Sequence, residues 1–136
     1  MPANPNAAQN RLVYFNESLS TFSTGYLLPT TQTSYRADVQ AIYDASCATT
    51  AACHTTGGAA PLDLSEDNSW FDTVNQPATE SMKSYVVPGD PGASFLFDKI
   101  TGAPGAGTMM PLGGPALPAS QVEAIRRWIL EGALFN

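Results

Sequence analysis

The sequence predicts an all-α domain of short helices in a loop-rich frame, preceded by an N-terminal extension. Two observations point there. Apolar residues recur at helical spacing in four stretches between positions 35 and 131, each entered through a capping residue. Glycine and proline, 11 of each among 136 residues, interrupt the chain too often for long elements. The length suits one domain with a single core.

The extension covers residues 1–33, and the domain residues 34–136. The extension has a polar start rich in Pro and Asn, the apolar run Leu12-Val13-Tyr14-Phe15, and a Ser/Thr-rich stretch holding Tyr26-Leu27-Leu28. Four apolar residues between polar flanks suit a short strand or a docking arm. Packed on its own domain, the arm is a tail; packed on another subunit, it builds a homo-oligomer or filament.

The first helix is expected over 35–45, capped by Ser34, with Val39, Ile42 and Tyr43 at core spacing. It delivers Cys47 at its end. Ser65 is the expected cap of a short helix through Trp70, Phe71 and Val74, with Glu66 and Asp67 in the first turn, where the helix dipole favours anions. Asp90 as cap and Pro91 as first residue open a third helix running to Thr101, with Leu96, Phe97 and Ile100 on one face and Gly102 as the stop. The following AGTMMPLGGPALP reads as a loop that holds Met109 and Met110. In the last helix Ser120 and Glu123 predict a capping box, Gly132 the end, and Val122, Ile125, Trp128 and Ile129 the buried stripe. Glu123 with Arg127, and Arg127 with Glu131, are expected as i,i+4 pairs worth a few tenths of a kcal/mol each, roughly.

The chemistry concentrates in CATTAACH, residues 47–54, and in Met110-Pro111 downstream. Two cysteines with a histidine directly after the second form the pattern of covalent haem attachment: the thiols become thioethers and the histidine an axial iron ligand. The usual spacer is two residues; here it is five. On a continuous helix, residues six apart would lie about 9 Å apart along the axis, so the helix has to break, and the small and β-branched residues 48–52 suit a bulged loop. His54, the chain's one histidine, needs an acceptor for its second ring nitrogen, and the Pro61 carbonyl is the expected one. A methionine sulfur on the opposite face would favour Fe(II). Taken alone, the segment fits a Cys47–Cys53 disulfide equally well. Zinc fits less well, since two Cys and one His leave a tetrahedral site one ligand short.

The matching stretches VQAIYDASC, the CH at 53 and 54, LDLS, VVPGDPGASFLFDKITG, MPLGGPALPASQ and AIRRWILEGA occur in one order over residues 36–134. In this the sequence resembles the small bacterial class I cytochrome c domains that carry a Pro-Gly-Asp-Pro segment and a Met-Pro distal loop. The resemblance implies a class I cytochrome c fold, with terminal helices crossing near one edge of a single haem c. It implies thioethers from Cys47 and Cys53, His54 as proximal ligand and Met110 as distal ligand, Met109 being the neighbour a one-residue slip would substitute.

The implied function is electron transfer by a monohaem, six-coordinate carrier rather than an enzyme, with other redox proteins as partners. A haem-free disulfide-stapled interaction module and a small haem peroxidase are the alternatives. Haem attachment outside the cytoplasm implies a periplasmic or extracellular location. The start lacks a secretory signal pattern, so a mature or engineered form is expected. A net charge of −6 and a pI near 4.4 argue against nucleic acid and anionic membranes, and no apolar run approaches the roughly 20 residues a transmembrane helix needs.

Overall fold

The computed structural model describes residues 31–136. The boundary between the two units of the chain falls between Thr31 and Gln32. Expectations about Leu12–Phe15 and Tyr26–Leu28 lie outside the described residues.

Those residues form an all-α unit with no strand, only isolated bridges such as Val74 to Val86. A π-helical turn, Tyr35–Val39, runs directly into α1, Gln40–Ser46; α2 is Ser69–Thr73, α3 is Phe95–Thr101 and α4 is Ala119–Leu130. Ser34 caps the first segment as expected, its hydroxyl accepting from the Ala37 amide at 3.1 Å while Asp38 accepts from the Ser34 amide at 2.8 Å. These reciprocal bonds satisfy donors that a helix start leaves without partners.

The main core lies between the first helix, α3 and α4. Tyr35, Val39, Ile42 and Tyr43 meet Ile125, Trp128 and Ile129, with Leu96 and Ile100 closing the side. Three or four apolar residues per two turns give each helix one dry stripe, and burying these stripes together drives the assembly. The C-terminal tail ties the first helix to α4. Asn136 accepts from the Arg36 amide through its backbone carbonyl (3.0 Å) and from the Tyr35 amide through its side chain (2.8 Å). The indole N–H groups of Trp70 and Trp128 donate to the Ala133 and Leu134 carbonyls, both at 2.9 Å. A smaller cluster of Ala78, Phe95 and Ala106, with Tyr85 against it, forms a second apolar body.

Three boundaries differ from the sequence expectation. The second helix starts at Ser69 rather than after Ser65, because Asp63 takes both the Ser65 amide (2.9 Å) and the Ser65 hydroxyl (2.5 Å), making a local turn where a cap was expected. The third is cut at Ser94. Asp90 does cap, accepting from the Ala93 amide at 3.1 Å, but only a 3-10 turn follows over Pro91–Ala93. Ser94 then goes extended, its buried hydroxyl donating to the Asp90 carbonyl (2.8 Å) and accepting from the Val87 amide (2.8 Å) before α3 begins. Gly102 stops α3 in the left-handed region, at φ 69°, as a C-terminal glycine should. In α4 the capping box does not form: the helix begins at Ala119, which puts Ser120 inside it, and Glu123 makes its bidentate pair with Arg126 (2.9 and 2.7 Å) instead of Arg127. The pair between Arg127 and Glu131 is present at 3.2 Å, and Glu131 also accepts from the Thr33 amide at 2.8 Å.

Candidate functional site

Between the two apolar clusters the fold encloses a cavity of about 730 Å³, within the range of about 300–1,000 Å³ that cofactor and ligand sites occupy. Cys47, Cys53, His54 and Met110 all line it. The sequence placed these residues in two motifs some 56 positions apart, and the fold brings them to one wall-to-wall space.

The spacer shows how the local chain achieves this. α1 ends at Ser46, and Cys47 is its C-cap, its amide still donating to the Tyr43 carbonyl at 2.8 Å. Beyond it the helix breaks, as six-residue spacing requires. The His54 amide then returns to the Cys47 carbonyl at 3.1 Å. In an unbroken helix that bond links residues four apart; here it links residues seven apart, so the surplus three residues are extruded as a loop. Within the loop the Cys53 amide donates to the Thr50 carbonyl (2.8 Å) and the Ala59 amide to the Ala51 carbonyl (2.9 Å), which fix its shape.

The two thiols are free and chemically unequal. Burial against the main core, with Cys53 nearby, pushes the Cys47 thiol up to about 11. Hydroxyls of Thr50 (3.4 Å) and Thr49 (3.6 Å) beside the Cys53 sulfur draw its pKa below the ordinary thiol value.

His54 is half-buried, and its Nδ1 lies 3.0 Å from the Leu62 carbonyl. The acceptor is therefore Leu62 and not Pro61. The carbonyl that faces the ring depends on how the 61–64 segment is anchored. Its anchors are the Leu64 amide on the His54 carbonyl (2.8 Å) and the buried Gln40 side chain donating to the Leu64 carbonyl (3.0 Å). Gln40 is itself held by Ser69 and Tyr35 hydroxyls, so α1 and α2 both support the histidine's acceptor. A hydrogen bond at Nδ1 leaves Nε2 as the nitrogen able to ligate.

The structure separates the two neighbouring methionines. Met110 is half-buried on the cavity wall, its amide donating to the Lys99 carbonyl of α3 at 2.9 Å. Met109 is not among the cavity residues; it is 39% exposed and lies over Gly102, where an added Cβ would approach its sulfur to 3.1 Å. Met82 is fully exposed, in keeping with the bland reading of it.

Sequence reasoning assigned Tyr43 to the core alone. It is core, yet it also lines the cavity, and its buried hydroxyl has no hydrogen-bond partner. Its position four residues before Cys47, on the same helical face, was the signal available. A buried hydroxyl without a partner costs roughly 1–3 kcal/mol, which the packing of Tyr43 in the main core has to offset. Lys99, Glu80 and Tyr85, also unassigned from sequence, form a polar corner of the same cavity.

Among the described residues no three His, Cys, Asp or Glu side chains cluster as a ready metal site. What converges is two thiols, one imidazole and one thioether around a mostly apolar space. No helix among the described residues is long and apolar enough to cross a membrane. Neither a family model, nor a curated protein, nor a solved structure matches the chain.

Proposed function

We propose that this chain is a monohaem c-type cytochrome of the class I fold that carries electrons between redox proteins outside the cytoplasm. The observation that carries the reading is the convergence of Cys47, Cys53, His54 and Met110 on one cavity of cofactor size. The residues fit the group by their chemistry. Two thiols line the cavity for thioether bonds, the imidazole held at Nδ1 keeps Nε2 for a ligand, and Met110, tied to α3 through its amide, would contribute a thioether.

Haem c, when bound there, supplies the Fe(III)/Fe(II) couple. The protein's part is positional and electrostatic. Cys47 and Cys53 would fasten the macrocycle, and the Leu62 carbonyl keeps the His54 ring in one tautomer and orientation. Met110, held to α3 through its amide, offers a weak thioether donor, which raises the potential relative to a second imidazole. Leu64, Leu96, Ile100 and Ile125 exclude water from the cavity and lower the local dielectric. If His54 and Met110 both ligated the iron, no position would stay open for oxygen or peroxide, which favours a carrier over a peroxidase.

The test is a mass and an absorption spectrum of the denatured chain after production with a haem-attachment system. One haem added to the chain mass, with its absorption retained in denaturant, is the expected result. A mass two hydrogens below the free-thiol chain, with no haem absorption, overturns the reading in favour of a disulfide. In the loaded protein Met110→Ala is expected to abolish the methionine-to-iron charge-transfer band and Met109→Ala to leave it; the reverse outcome reassigns the ligand.

A further inference from the structure

Among the described residues that line the cavity Lys99 is the only Lys or Arg, and its side chain is 14% exposed. It rises from α3 between Leu96 and Ile100 at the smaller apolar cluster, with its ammonium 5.8 Å over the Phe95 ring. Cys47 and Leu62, by contrast, pack on the larger core. The cavity is thus bordered by the thiols at and beyond the end of α1 and by a cation on α3.

The ammonium group has three donors. The Ala106 carbonyl takes one at 3.1 Å. The nearest carboxylate, Glu80, is 3.7 Å away, beyond hydrogen-bond reach, and 65% exposed. With one carbonyl bond and a loose ion pair to an exposed carboxylate, the ammonium keeps donor capacity to spare. A carboxylate inside the cavity would complete it.

On the haem reading above, the structure assigns Lys99 as the positioning residue for a haem propionate. The porphyrin's carboxylates lie on the edge opposite the vinyl groups, so attachment at Cys47 and Cys53 would turn the propionate edge away from the end of α1, towards a wall where Lys99 is the cation available among the described lining residues. Lys99 and Glu80 then act on the iron with opposite sign. The ammonium offsets the propionate charge and favours Fe(II), while the Glu80 carboxylate draws the ammonium outward and favours Fe(III).

The experiment measures reduction potential and the propionate-bending resonance Raman band of loaded wild type, Lys99→Gln, Lys99→Arg and Glu80→Gln. Lys99→Gln should lower the potential and shift the band, with the methionine-to-iron charge-transfer band retained, since loss of that band would mean only a loosened Met110 loop. Lys99→Arg should restore both towards wild type. Glu80→Gln, at an exposed position that does not endanger folding, should raise the potential. Wild-type values in both Lys99→Gln and Glu80→Gln overturn the assignment while leaving the haem reading intact; if Lys99→Gln does not load, a Glu80→Gln potential equal to or below wild type overturns it. Absence of haem from the wild-type chain overturns both together.

Discussion

At the scale of single residues, the inequality of the two thiols has the most direct consequence. The thiolate is the reactive form, so reactivity follows pKa and access. Cys53, drawn down by the Thr49 and Thr50 hydroxyls, ionises first as pH rises, and Cys47 stays a thiol until the pH approaches its value of about 11. In the haem-free chain at pH 8, iodoacetamide should therefore label Cys53 well before Cys47, read by peptide mass spectrometry. Thr49→Val with Thr50→Val should narrow the gap by slowing Cys53 and leave Cys47 unchanged. In the loaded chain neither thiol should label, and labelling of one alone would mean a single thioether. That Cys47, Cys53, His54 and Met110 belong together was legible in the sequence because thiols, imidazole and thioether lie in short contiguous motifs, and the four do line one cavity. The Leu62 acceptor was read one residue early, as Pro61, because a carbonyl's direction depends on the anchoring of its segment by Gln40 and His54 rather than on residue type. Lys99 was not legible as a cavity residue, since a lysine between apolar helical positions looks the same whether its end reaches solvent or a cavity.

At the scale of elements, the spacer acts as a helical turn with a detachable excursion. The bond from the His54 amide to the Cys47 carbonyl restores the relation that a two-residue spacer would have, and Thr49-Thr50-Ala51 lies outside it. Deleting those three residues should leave one covalent haem and an unchanged methionine-to-iron band. The stability change should stay within about 1 kcal/mol, because a shorter loop gains a few tenths while exposed loop hydrogen bonds are lost. Urea unfolding with the absorption spectrum checks both points, and a deleted chain that folds but takes no haem would show the loop to be needed for attachment. The same scale explains which helices the sequence foretold. The first helix and α4 follow from periodic apolar stripes, whose burial is a property of the element itself. Ser94 cuts the third because its hydroxyl finds Val87 and Asp90, groups whose nearness depends on a turn elsewhere in the chain. Arg126 rather than Arg127 pairs with Glu123 because rotamers of a long side chain admit i,i+3 as readily as i,i+4.

At the scale of the whole molecule, the all-α class follows from those stripes and from the density of glycine and proline, while the cavity follows from no single segment. It is lined by segments distant in sequence: the end of α1, residues 60–64, α3 and residues 110–115. The other molecular property is charge. Six lysines and arginines against twelve aspartates and glutamates leave a net −6, which creates a field felt by any partner before contact. A carrier that must meet and leave its partners quickly gains most from such steering, because the field raises encounter rates about 10- to 1,000-fold without deepening the bound state. The field's reach is the Debye length, about 30 Å at 0.01 M salt and about 8 Å at 0.15 M. Electron transfer from the reduced, loaded protein to a basic redox protein should therefore slow by an order of magnitude or more between those salt concentrations in stopped-flow measurements. Transfer to an acidic acceptor of similar potential should instead speed up as repulsion is screened. A rate to the basic acceptor that does not change with salt would mean that contact rests on apolar surface, and would turn attention to the exposed Leu112 beside Met110 at the cavity rim.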